Sequence, residues 1–168
     1  MIDNKVQASG IQVLDLSELL SELPEIDVLD LGSFLFQGVL LKEKDFREKA
    51  MGYDWHQHRG NIVCVRVPED SLIQQWAFMI IASNLSGIAS DIFIDNGTDP
   101  RNQALHRCIQ WMDAAPYQDQ RVVIKGCGDF KVSDECYLEI SRKLTQVVRS
   151  LMFGEPCSTV PVWKRPKK

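Results

Sequence analysis

The chain has 168 residues, of which 45% are hydrophobic and 25% charged, and a formal net charge of −4. That length fits one domain with a sizeable core, and the composition is that of a globular protein, not a disordered or fibrous one. The acidic excess argues against a general nucleic-acid binder, which normally presents a basic face.

Residues 1–10, MIDNKVQASG, are polar and expected to be disordered. They contain no apolar run, so no signal peptide is expected there. The most apolar stretch, 76–82, is too short to cross a bilayer, and a cytoplasmic location is expected. Five cysteines without a CxxC argue against a disulfide framework and against a compact zinc or thioredoxin-like signature.

IQVLDL at 11–16 reads as a short strand running into a turn of helix through SELLSE. EIDVLDL at 25–31 alternates imperfectly and fits either a strand or the start of a helix. From Ser33 to about Met51, Phe36, Val39, Leu40 and Phe46 recur at turn spacing beside a charged face, KEKDFREK, which predicts a helix. NIVCVRV, from Asn61, is β-branched and continuous, as in a strand buried on both faces. Pro68 ends it, and Asp70 or Ser71 is placed to cap a helix over 71–88. Ile73, Trp76, Ala77, Ile80, Ile81 and Leu85 form that helix's stripe, so Trp76 is read as core and not as a stacking platform.

DIFID at 91–95 is a second strand, stopped by Asn96-Gly97. Asp99-Pro100 reads as an N-cap followed by proline at the first helical position, opening a helix over 100–114 with Leu105, Cys108, Ile109 and Met112 inward. RVVIKG at 121–126 is the third strand. Ser133 precedes a helix over 134–151 with Asp134 and Glu135 in its first turn and Tyr137, Ile140, Leu144, Val147 and Leu151 inward. Pro161 marks a final edge strand, because proline is not tolerated in a central one.

Strand and helix thus alternate from 61 to 151. The expected fold is α/β: one mainly parallel sheet in three layers with covering helices, and a less regular N-terminal segment. It occupies a single domain over 11–163, followed by a solvated basic tail, KRPKK, at 164–168. The three strands are expected as parallel neighbours. Ligands of such sheets bind beyond the carboxyl ends of the strands, which directs attention to VVIKGCGD.

Cys127 follows the third strand between two glycines. As a metal ligand or nucleophile its thiolate would be favoured by Lys125 or by the next helix N-terminus. The opposing reading is a small residue packed in a tight turn. Cys157, in GEPCSTVPV, suits a soft metal ligand with polar neighbours, or a cysteine packed under the sheet. A helix running to Leu151 carries the tail to the amino edge, about 20 Å from Cys127, which argues against the two thiols sharing one metal.

Cys64, Cys108 and Cys136 read as buried small hydrophobes. His56 and His58 are expected in a solvated loop, and His106 on a polar helix face. Asp70, Asp95 and Asp129 lie near strand ends; capping and turn formation are preferred to a carboxylate cluster. KGCGD lacks the GxGxxG of a dinucleotide site, and no nucleophile elbow, P-loop or HExxH is present.

LLKEKDFRE, YDWHQHRG, QWAFMIIAS, VVIKGCGD and above all SLMFGEPCSTVPVWK resemble the uncharacterised bacterial family known as domain of unknown function 2480. The resemblance covers about residues 35–164. It departs at EDSLIQQW, where family members often carry proline at the position of Gln74. The family has no established activity, so it assigns no catalytic residue. Its members tend to be encoded beside genes for iron–sulfur cluster assembly, which implies an accessory role there.

The resulting expectation is a protein that assists iron–sulfur or thiophilic-metal handling together with assembly proteins, acting through Cys127, with Lys125 as its helper and Cys157 as a second candidate ligand. The alternatives are a thiol-dependent small-molecule hydrolase or transferase and a non-catalytic interaction module. Neither nucleic acid nor membrane is expected as a partner; a homo-oligomer is open.

Overall fold

The computed structural model describes residues 10–126, 130–155 and 158–166. In chain order these form β1 (Ile11–Asp15), α1 (Leu16–Ser21), β2 (Ile26–Asp30), α2 (Glu43–Gly52), β3 (Ile62–Arg66), α3 (Gln75–Leu85), β4 (Asp91–Ile94), α4 (Pro100–Trp111), β5 (Arg121–Lys125), α5 (Asp134–Leu144), β6 (Ser150–Glu155) and β7 (Ser158–Lys164). The class is α/β with parallel sheets, as expected. No helix among the described residues is long and apolar enough to cross a membrane.

The single sheet is not what forms. The chain gathers into two compact units, Met1–Leu23 with Arg101–Lys168, and Pro24–Pro100. The first carries a four-stranded sheet ordered β1-β5-β6-β7 and the second a three-stranded sheet ordered β2-β3-β4. The three strands expected as neighbours are therefore divided, with β3 and β4 in one sheet and β5 in the other. The cause lies in the two N-terminal strands. β1 pairs in parallel with β5, and β2 pairs in parallel with β3, so β3 and β5 each take a different N-terminal strand as neighbour and do not pair with one another.

In the three-stranded unit, Leu29, Val63 and Val65 project into a core with Phe34, Phe46, Ala77, Ile81 and Leu85. Trp76 is only partly buried. Its ring meets Phe46 edge-on at 5.5 Å and lies under the Arg47 guanidinium. The helix expected over Ser33–Met51 shrinks to α2, because residues 35–41 turn back on themselves. Phe36 and Leu40 bridge one another, and Gln37 and Gly38 both have positive φ, which no helix admits. Phe36, Val39 and Leu40 are accordingly exposed. α3 begins at Gln75, later than expected. Ser71 closes a turn onto the Pro68 carbonyl, so neither it nor Asp70 caps the helix.

In the four-stranded unit, Leu14, Val122, Ile124 and Leu151 meet Leu105, Ile109, Cys136, Ile140 and Leu144. α5 ends at Leu144, where a helix to Leu151 was expected. Val147 and Leu151 keep the helical spacing, but the chain turns at 145–149, and Leu151 reaches the core from β6. β7 is the antiparallel outer strand and holds Pro161, as the edge rule requires. Of the expected tail at 164–168, Lys164 closes β7 and residues 167–168 lie outside the described residues. The Arg165 side chain bonds to the Val147 carbonyl and pairs with Asp119.

Candidate functional site

Parallel pairing brings the carboxyl ends of β1, β5 and β6 to one sheet edge. Asp15 stands opposite Lys125, and Ile124 opposite Phe153, so Lys125 and Glu155 end adjacent strands. Lys125 Nζ lies 3.6 Å from Asp15 Oδ2 and 3.6 Å from Glu155 Oε1. Glu155, and next Asp15, push the ammonium's pKa above its ordinary value. Lys125 is therefore a fixed cation shared by two carboxylates. It is not a general base, and its charge is largely spent before it could act on a thiolate. Asp15 has a second task, accepting from the Ser17 amide at the start of α1.

Two glycines at this edge have steric causes. A Cβ on Gly126 would fall 1.9 Å from the Tyr137 hydroxyl. Tyr137 reaches from α5 onto the strand end, donates to the Gly126 carbonyl at 3.4 Å, and stands edge-on to Phe153 at 5.6 Å. The first glycine of GCG thus admits a tyrosine. Gly154 has φ +116°, and a Cβ there would lie 2.7 Å from the Ser158 carbonyl oxygen. It opens the tight β6–β7 hairpin, whose last pair is Glu155 with Ser158.

Cys127 and Cys157 lie outside the described residues, as does Asp129. Their chain neighbours, however, stand at one edge. The objection to a shared thiol site rested on a helix delivering the tail to the amino edge. β6, unread in the sequence, returns the chain to the carboxyl edge beside β5, and the objection falls.

Of the other three thiols, Cys64 and Cys136 are buried as expected, whereas Cys108 is only half-buried. Burial, and after it the charge of Asp95, pushes Cys64 up to about 11. Burial also raises Cys108 and Cys136. Cys136 accepts from the Ser133 hydroxyl at 3.3 Å. Among the described residues no three His, Cys, Asp or Glu side chains converge as a metal site.

The carboxyl edge of the three-stranded sheet holds a separate cleft of about 620 Å³, lined by Asp30, Arg66, Glu69 and Asp95 among others. Asp30 accepts from the Gly32 amide. Asp95 accepts from the Gly97 amide at 2.9 Å and from Arg66 Nε at 3.0 Å. The Gly97 amide first, then Arg66, hold Asp95 below its ordinary pKa. Asp30 and Asp95 thus shape turns, as expected for Asp95. Asp70 is exposed and does not line the cleft.

His58 overturns the solvated-loop expectation. It is the buried polar residue of this unit, 5% exposed. Nδ1 lies 2.7 Å from Asp27 Oδ2, and Nε2 lies 2.9 Å from the Tyr53 hydroxyl. The ring also stacks on Tyr53. The neighbouring His56 is exposed, so only one of the two histidines met the solvated reading. His106 lies on α4 and is half-buried.

A family model described as "Protein of unknown function (DUF2480)" matches residues 1–165. No curated protein and no solved structure gives a significant match.

Proposed function

The chain belongs to that family of unknown function, and from the edge just described we propose that it is an accessory protein of iron–sulfur cluster assembly that receives and passes on a thiophilic metal or sulfur species through Cys127 and Cys157. One observation carries the reading. β5 and β6 are adjacent and parallel, so Gly126 and Glu155, the described neighbours of the two thiol-bearing segments, leave the sheet at one edge.

The chemistry of the donors narrows the cargo. Lys125 pairs with both Asp15 and Glu155, which leaves one net negative charge at the edge, too little by itself to hold a hard cation. Thiolates favour zinc, copper(I) and iron–sulfur species. Two thiols are half the set that closes a structural zinc site or an iron–sulfur cluster. A cargo held by two has room for a partner's thiolates, which suits transfer better than storage. The thiol-hydrolase alternative finds no free base at this edge among the described residues, because Lys125 is held protonated and Asp15 and Glu155 are paired with it. The interaction-module alternative draws on β7, whose Val160 and Val162 are exposed on the outer strand. It expects Val160→Asp to abolish partner capture and both cysteine variants to spare it.

Elemental analysis of protein purified without oxygen tests the proposal. Wild type should carry iron or zinc, most of it lost in Cys127→Ser and in Cys157→Ser and retained in Cys108→Ser. Metal-free wild type, in which iodoacetamide alkylates Cys127 no faster than buried Cys136, would end it.

A further inference from the structure

The opposite edge of the same sheet has a different character. A cleft of about 370 Å³ lies where β5, β6 and β7 meet at the amino ends of β5 and β6, with Arg121, Arg149, Ser150, Met152, Pro161 and Lys164 in its lining. Three of these side chains are cationic, and among the described residues no acidic one lines the cleft. In a chain of net charge −4 that is a local reversal of sign.

Register explains why the charges converge. Arg121 pairs with Ser150, and Ser150 pairs with Lys164. The three residues form one row across three adjacent strands and project from one face. At a strand spacing of about 4.8 Å the outer two α-carbons stand roughly 10 Å apart, with the serine between them. Two long cationic side chains can close over one anion on the Ser150 hydroxyl, and Arg149 at the head of β6 adds a third positive charge. None of the Arg121, Ser150 and Lys164 side chains makes a hydrogen bond or ion pair with any described residue. The nearby acid, Asp119, is engaged by Arg165. Beyond the row, Met152 and Pro161, also paired across β6 and β7, add apolar surface on the same side.

We propose that this cleft binds a small phosphate monoester. The phosphoryl group would lie between Arg121 and Lys164 on the Ser150 hydroxyl, and the organic part would lie against Met152 and Pro161. Guanidinium forks match the tetrahedral oxygens of a phosphate, and a dianion makes the fullest use of three cations. The volume is that of a small-metabolite pocket. The site is a strand's length from the Lys125 edge, roughly 13 Å over the four steps from Arg121 to Lys125, and does not depend on the thiol reading.

Calorimetric titration of the full chain with phenyl phosphate and with inorganic phosphate tests it. Both should bind, phenyl phosphate more tightly because only it reaches the apolar wall. Arg121→Gln and Lys164→Gln should each weaken phenyl phosphate by about tenfold or more. Ser150→Ala should weaken it less. Lys44→Gln, which removes an exposed charge that is not part of the cleft, should leave binding unchanged. Arg121 has no partner to lose among the described residues, so its variant should keep the wild-type melting curve. If neither ligand binds at millimolar concentration, or if Lys44→Gln weakens binding as much as Arg121→Gln, the site is refuted. Equal affinity for the two ligands would overturn its assignment to a monoester.

Discussion

Replacing Leu144 by alanine should lower the free energy of unfolding by about 2–5 kcal/mol. Leu144 is 0% exposed at the last turn of α5, packed with Leu105, Ile109, Ile140, Val148 and Leu151. Truncation removes three carbons from a site enclosed by a helix, a sheet and the turn that follows. Those surroundings are fixed by their own hydrogen bonds, including the Val147 and Val148 amides on the Leu144 carbonyl, so the cavity cannot collapse fully. The same helix supplies a control. Leu138 is 73% exposed, and Leu138→Ala should change stability by no more than about 0.5 kcal/mol. Chemical denaturation of the two variants reads the contrast. Equal midpoints would mean that α5 presents another face to the sheet.

That contrast was legible in the sequence, since Ile140 and Leu144 sit at helical spacing and Leu138 does not share their face. Where α5 ends was not. Residues 144, 147, 148 and 151 satisfy the 3.6-residue period whether or not the helix continues, and a periodicity cannot register that the chain has turned and re-entered as a strand. The same ambiguity hid the turn at Phe36–Leu40, where Phe36, Val39 and Leu40 imitate a stripe while Gln37 and Gly38 take up left-handed backbone. The division into two sheets was out of reach for another reason. β1 and β2 read IQVLD and IDVLD, and nothing in either names its partner. Pairing is a long-range choice, made here between β5 and β3.

The candidate site was half legible for the same reason. Glycine, cysteine and a strand end together pointed to the neighbourhood of residue 126, and the edge rule for parallel sheets gave the location. The companion segment at 155–158 could not be added without β6. The role of Gly126 likewise needed Tyr137, eleven residues on, to be seen lying against it. Lys125 illustrates the limit of local reading. Beside Cys127 in sequence it suggests a thiolate stabiliser, whereas in space it is committed to carboxylates from β1 and β6.

Replacing His58 by alanine should cost about 2–4 kcal/mol at neutral pH and measurably less at acid pH. The imidazole fills a buried position and joins two polar groups. In its neutral form Nδ1–H donates to Asp27, and Nε2 accepts from the Tyr53 hydroxyl. Asn61 donates a second hydrogen bond to the same Asp27 oxygen. Burial alone would raise the Asp27 pKa, but the hydrogen bonds from His58 and Asn61 outweigh it and hold the carboxyl below its ordinary 3.8. A carboxylate with a depressed folded pKa stabilises the fold fully above its unfolded value. That contribution is lost as the pH falls through the folded value. Wild type should therefore keep the Asp27 contribution down to about pH 4. Without His58, burial is opposed mainly by Asn61 and the folded pKa rises toward the unfolded value, so the Asp27 contribution is smaller at neutral pH and less of it remains to be lost in acid. The gap between wild type and His58→Ala should therefore narrow as the pH falls from 7 to 3, and Asp27→Asn should flatten the acid limb in the same way. Unfolding free energies measured between pH 3 and 7 would show the narrowing. If His58→Ala instead lowered stability by the same amount at every pH in that range, Asp27 and His58 would not be coupled, and His58 would be held only by packing against Tyr53.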